Sequence, residues 1–114
     1  MTSASFALRA TTTASTKRSP ALASGKVGAA VEHIASFKCY PPVQLSDPAL
    51  ASHFATKATS LIYETFAQDG LDIVEGDFLV LNDLDNPIRG VNSYPWPGPG
   101  GNRLHIIFEE VQTL

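Results

Sequence analysis

The chain has one cysteine, Cys39, one tryptophan, Trp96, and three histidines, His33, His53 and His105, in 114 residues. A single cysteine excludes an intrachain disulfide framework and any multi-thiolate metal centre, and Cys39 reads as a small hydrophobe on a strand rather than as a nucleophile. No two of the histidines stand at ligand spacing on one element, so no zinc site is signalled. Neither a phosphate loop nor a GxSxG elbow is present. The run Asp83-Leu84-Asp85-Asn86 lacks the glycine and distal glutamate of a calcium loop, and turn chemistry explains it. No stretch approaches the roughly 18 apolar residues of a membrane-spanning helix, so the chain reads as soluble. No metal, cofactor or catalytic group is therefore expected, and the reading is non-enzymatic.

Acidic residues are missing from the first 30 positions, which carry Arg9, Lys17, Arg18 and Lys26, a balance of +4. Residues 31–114 carry four bases and eleven acids, a balance of −7. Between positions 64 and 85 stand Glu64, Asp69, Asp72, Glu75, Asp77, Asp83 and Asp85 without one Lys or Arg. A solvated acidic edge is the plain reading; the sharper one is that a basic arm of one copy meets the acidic face of another. An acidic domain repels nucleic acid, yet such a wall suits a conduit through which DNA slides without sticking.

What is present is a β pattern in one domain. Phe78–Leu81, Ile88–Ser93 and Arg103–Val111 are strand-like runs separated by turn residues, which predicts a C-terminal β-meander. In the last run Leu104, Ile106 and Phe108 recur with period two while His105 and Glu109 fall on the other face, as in a half-buried strand. Val31–Cys39 is a further strand, with Val31, His33, Ala35, Phe37 and Cys39 on one face, and Pro41-Pro42 ends it. Ser46-Asp47-Pro48 is a helix start, and the spacing of Leu50 and Phe54 predicts a short helix over Pro48–Phe54. Residues 58–67, with Leu61, Ile62, Tyr63 and Phe66, read as a strand or as a continuation of the helix, and Thr56, Thr59 and Thr65 with the Asp69-Gly70 stop favour the strand. The alternation of Phe6, Leu8 and Ala10 with Ser5, Ala7 and Arg9 predicts an extended strand or arm over residues 1–14, and residues 15–30 read as a loop. Composition alone would also fit a transit peptide, which would make the chain an imported accessory subunit, but the periodicity does not. The fold expected is mainly β: a small barrel or sandwich at 31–114, one short helix, and an extended basic arm at 1–30 that adds little to the core.

Residues 94–102, YPWPGPGGN, hold three prolines and three glycines in nine positions. No ladder runs through such a segment, and it presents Tyr94 and Trp96 either as a lid on the core or to a partner.

The order VEHIASFKCYPP, a short helix after SDPAL, then SLIYETFAQDGLDIVEGDFLVLNDLDNPIRGVNSYPWPGPGGNRLHIIFEEV resembles the small head–tail joining proteins of tailed bacteriophages, the neck proteins also called head-completion, head-closure or stopper proteins. The resemblance covers residues 31–112. It rests on Asp72-Ile73, Gly76-Asp77 and Leu79-Val80, on Asn86 to Val91, and on Leu104 to Glu110; Asn86 stands where an aromatic is more usual, and the 94–102 loop is expanded. It implies a structural protein of the virion neck: a homo-oligomeric ring, twelvefold or sixfold, between portal or adaptor and tail, through which DNA passes without sequence-specific binding. On that reading Phe6, Leu8, Arg9, Lys17, Arg18, Tyr94 and Trp96 are interface residues. Asp69, Asp72, Glu75, Asp77, Asp83 and Asp85 line the lumen or one ring face. Removing residues 1–30 is then expected to abolish the ring and leave the barrel folded. The alternative is a small β-barrel module that binds a ligand or peptide with the Tyr94–Trp96 loop.

Overall fold

A computed structural model describes residues 4–20, 25, 28–55, 60–95 and 102–111. Among these residues seven strands and two short helices follow in the order α1 (Ala4–Arg9), β1 (Thr12–Arg18), β2 (Val31–Cys39), β3 (Val43–Gln44), α2 (Pro48–Phe54), β4 (Ile62–Gln68), β5 (Phe78–Leu81), β6 (Leu84–Tyr94) and β7 (Arg103–Glu109). The chain is mainly β, as expected. All pairings are antiparallel, in the order β2-β1-β5-β6-β7-β4-β3, and the sheet meets itself where Cys39 of β2 pairs with Ala67 of β4. The result is a small barrel filled by side chains.

The C-terminal meander is present as read: β5, β6 and β7 are neighbours in the sheet. Its first turn is tighter than the run NDLDN suggests. Leu81 pairs with Leu84, so only Asn82 and Asp83 form the turn, with φ of 50° and 63°. Two successive left-handed residues match the strand twist, and Asn and Asp tolerate that conformation. Asn86 instead lies in β6, buried: its side-chain amide donates to the carbonyls of Leu79 and Leu84, and its Oδ1 accepts from Val111 N at 2.9 Å. A polar knot at the end of the barrel thus replaces the expected aromatic.

Strand β2 begins and ends where its pattern places it, but its faces do not alternate throughout. Two register shifts against β1, between Ala14 and Thr16 and between Thr16 and Lys17, put extra residues into β2. Phe37 and Cys39 point inward and are buried, and beyond the first shift Ile34 packs against the core while His33 and Ala35 are exposed. Such bulges leave ladder groups unpaired. Buried Thr16 meets one of them, its Oγ1 accepting from Ile34 N at 3.2 Å. Buried Thr65 does the same where Pro41-Pro42 interrupts the strand, donating to Tyr40 O at 2.6 Å. Two threonines inside an apolar barrel are there because the backbone beside them is irregular.

Helix α2 matches its reading, with Asp47 as cap accepting from Ala49 N and Leu50 N. It lies on the barrel through Phe54, whose ring occupies the space above Gly90: a Cβ at position 90 would stand 2.8 Å from Phe54 Cε1. Partly for this reason β7 is buried on both faces, not one. Leu104, Ile106 and Phe108 face the core, while Arg103, Ile107 and Glu109 are covered on the outer wall.

The N-terminal reading is corrected. Residues 4–9 are helical, and Phe6 and Ala10, four apart on one side of a turn, are both buried while Leu8 is 81% exposed. So short a helix holds by docking and not by propensity. Residues 12–14 are strand, as the extended reading of 1–14 allowed, but 15–18 continue that strand and are not loop: β1 lies between β2 and β5, and Ala14 and Thr16 are core. The Ser/Thr-rich composition hid a barrel strand because small residues fill the interior where larger neighbours from β2 and β5 crowd it.

Cys39 is fully buried beside Ala67, and burial pushes its thiol pKa up. The native protein should therefore resist thiol reagents at neutral pH and react stoichiometrically in denaturant. Fast labelling of the folded chain would contradict the packing.

Candidate functional site

The registers fix which connections share an end of the barrel. Arg18 pairs with Val31, Lys17 with Phe78, Tyr94 with Arg103, and Gln68 with Arg103. The ends of β1, β4 and β6 and the starts of β2, β5 and β7 therefore form one mouth. From it leave the twelve-residue connection 19–30, the crossover 69–77 and the connection 95–102. Neighbouring antiparallel strands need only two residues to turn, as Asn82-Asp83 does at the other mouth. The first long connection is pinched at its base, where Gly28 N donates to Pro20 O at 2.8 Å.

The crossover exists because β4 and β5 are not neighbours, so the chain must traverse the mouth. Ile73 is buried in the core and Leu71 packs against it, closing that end. Side chains then fix the segment on two sides. Arg18 grips Asp77 with both ends of its guanidinium, Nε to Oδ1 at 2.8 Å and a terminal nitrogen to Oδ2 at 2.9 Å, and also reaches Asp72 at 3.1 Å. His33 adds a contact to Asp72 at 3.0 Å. On the other side Ser93 donates to Asp69 at 3.2 Å, and Asn102 to Ser93 at 3.3 Å.

This geometry reassigns most of the expected site. The basic strand meets the acidic stretch within one chain: Arg18 takes Asp77 and Asp72, and Lys17 takes Asp85 at 3.1 Å. Asp77 is no lumen residue, being 2% exposed. Burial by itself would raise its pKa, but the Arg18 hydrogen bond, the Val74 amide and the Arg18 charge prevail and hold the carboxyl below its usual range. The Arg18 and His33 hydrogen bonds hold Asp72 low as well, and Arg18 is correspondingly raised. The acids do not form one face. Asp69, Asp72 and Glu75 are exposed on the crossover, Asp83 lies at the opposite mouth, Asp85 beside Lys17, and Glu64 on the outer wall with His105 at 3.1 Å.

Of the expected interface residues, Leu8 and Arg9 are exposed on α1, but Phe6 is buried at 3% exposure, under the Arg103 guanidinium at 5.0 Å. Tyr94 is 45% exposed; Trp96 lies outside the described residues. The sequence reading missed that Tyr94 ends a row of rings along the outer wall. Phe6, Tyr40, Phe66 and Tyr94 follow at 5.7, 5.6 and 5.4 Å between centroids, and His105 stacks on Phe66 at 4.7 Å. Cross-strand pairing of Phe66 with His105 makes this contact, and only the register of β4 on β7 could have announced it. Beside α1 a groove of about 550 Å³ runs between β2 and the start of the crossover, lined by Phe6, Ala7, Ala10, Phe37, Lys38 and Leu71 among others.

Among the described residues no three His, Cys, Asp or Glu side chains are placed to hold a metal ion, and no helix is long and apolar enough to cross a membrane. Comparison of the chain with models of protein families, with curated proteins and with solved structures finds no match.

Proposed function

We propose that this protein is a structural connector of the phage-neck kind, a barrel protomer that assembles head to tail into a ring between portal or adaptor and tail. The observation that carries the reading is the asymmetry of the barrel. The acidic crossover, the long connection after the basic strand and the Pro/Gly-rich aromatic connection all leave one mouth, while at the opposite mouth a two-residue turn joins β5 to β6 and residues 40–61, with β3 and α2, join β2 to β4. A rigid body with two differently built ends suits a part that meets its neighbours in a fixed direction, and heterologous contacts that close make rings. The strands that carry the resemblance, β5 to β7, are the frame from which the first of these ends projects. In such a ring Asp69, Asp72 and Glu75 face the conduit, where carboxylates repel DNA phosphates and let it pass.

A peptide-binding barrel is the second reading. The aromatic row ending at half-exposed Tyr94 favours it, because a row of tilted and edge-on rings offers apolar seats to an extended ligand. Native mass spectrometry and electron microscopy of the full chain over a concentration series separate the two. The connector reading expects closed rings of six or twelve copies. A chain that never exceeds a dimer would overturn it.

A further inference from the structure

The barrel is joined at one seam by very little. Strand β2 pairs with β1 along its length, but on its other edge its partner strand among the described residues is β4, at Cys39 and Ala67 alone. Among the described residues no strand lies along residues 31–38 on that side, where the crossover touches β2 through His33 and Asp72 at 3.0 Å across the groove, and Val31, Glu32, His33, Ala35, Ser36 and Lys38 are all exposed, Val31 at 57%. An edge of this length is a template for another strand.

From the charges on that edge we infer that a second copy of this chain pairs with it, β2 to β2, antiparallel about a two-fold axis at Ala35. Glu32 and Lys38 sit opposite Lys17 and Thr13 of β1, which alternate with buried Ala14 and Thr16, so both point away from the core on the same face. They lie three residues either side of Ala35. The two-fold arrangement therefore sets Glu32 of each copy across from Lys38 of the other, twice, with the small Ala35 at the axis. Parallel in-register pairing would set Glu32 against Glu32 and Lys38 against Lys38, and shifting the axis by one residue separates the charges. Val31, on the inward face of the strand, then reaches the other copy's groove of about 550 Å³ at Phe37 and Leu71. An apolar side chain exposed in the monomer thus meets the apolar floor beside the open edge.

This contact does not depend on the ring. A dimer without rings would sink the connector reading and leave the pairing intact; rings indifferent to Glu32 and Lys38 would do the opposite.

Sedimentation of the full chain over a concentration series tests it. The unaltered protein dimerises. Glu32→Lys and Lys38→Glu each weaken dimerisation by about tenfold, since one substitution creates two like-charge contacts, and the double exchange restores it. Circular dichroism reports whether each variant keeps its fold. Ala35→Cys gives an independent reading, because directly opposed antiparallel residues lie within disulfide reach and mild oxidation should yield a covalent dimer. A native chain that stays monomeric, single exchanges without effect, a double exchange no better than the singles, or no covalent dimer through Cys at position 35 would each overturn the assignment.

Discussion

A chain beginning at Ser19 does not fold. The sequence reading expected the opposite, since residues 1–30 looked like a detachable arm, but β1 is the stave between β2 and β5. Its loss removes both ladders, from Thr12–Cys39 to Arg18–Val31 on one side and from Ser15–Val80 to Lys17–Phe78 on the other. It uncovers Leu79 and Phe37 and takes Phe6, Ala10, Ala14 and Thr16 out of the buried set. It also strips Asp77 of the guanidinium that compensates its burial. A domain of this size has roughly 5–15 kcal/mol of net stability, and opening the barrel along two ladders exceeds that. The truncated chain should show neither a cooperative thermal transition nor dispersed amide resonances. A chain beginning at Thr12 is the instructive contrast. It lacks only α1, so it should keep a cooperative transition while losing the packing of Phe6 on Tyr40 and Arg103, a cost of about 3 kcal/mol by comparison with other buried Phe truncations. Cooperative unfolding of the chain from Ser19 would show that β1 is dispensable after all.

What could be read from the sequence follows from what each pattern reports. β2, α2 and β5 begin and end where strand alternation, a proline after an Asp cap, and the glycine before Asp77 place them, because those signals are local. The faces of β2 could not be read, since two bulges against β1 reset the alternation and bulges are decided by the partner strand. Phe6, Leu8 and Ala10 illustrate the limit of periodicity over a short run. The same residues that alternate also place Phe6 and Ala10 four apart, and docking on Tyr40 and Arg103 decides for the helix. The charge segregation between residues 1–30 and 31–114 was visible, but its meaning was not. Whether Arg18 meets the acids of its own chain or those of another depends on the crossover passing the end of β1, which is a matter of strand order.

The Arg18–Asp77 pair supplies the second large effect. Asp77→Ala removes a buried carboxylate that accepts from Arg18 twice and from Val74 N at 3.1 Å, at the point where the crossover turns into β5. Removing the acceptor of the Val74 amide and the buried partner of Arg18, and freeing the crossover on that side, costs about 3 kcal/mol, or roughly 10 °C in Tm. The pH dependence follows from the sign of the shifts. The native pKa values of Asp77 and Asp72 lie below those of the unfolded chain, so their stabilisation is complete above the ordinary aspartate pKa of about 4 and is lost as pH falls through the native values. The unaltered protein should therefore hold its Tm through neutral and mildly acidic pH and drop steeply below about pH 4. Asp77→Asn keeps the shape and removes the charge; it should melt lower at neutral pH yet have a shallower acid limb, the two curves converging as pH falls. Salt distinguishes this pair from the exposed one, since Lys17–Asp85 is screened in solution and Asp77, 2% exposed, is not. Melting curves of the unaltered protein and Asp77→Asn that stay parallel down to acid pH would mean that the crossover is held by Leu71, Ile73 and the contacts of Ser93 and His33, with the guanidinium a bystander.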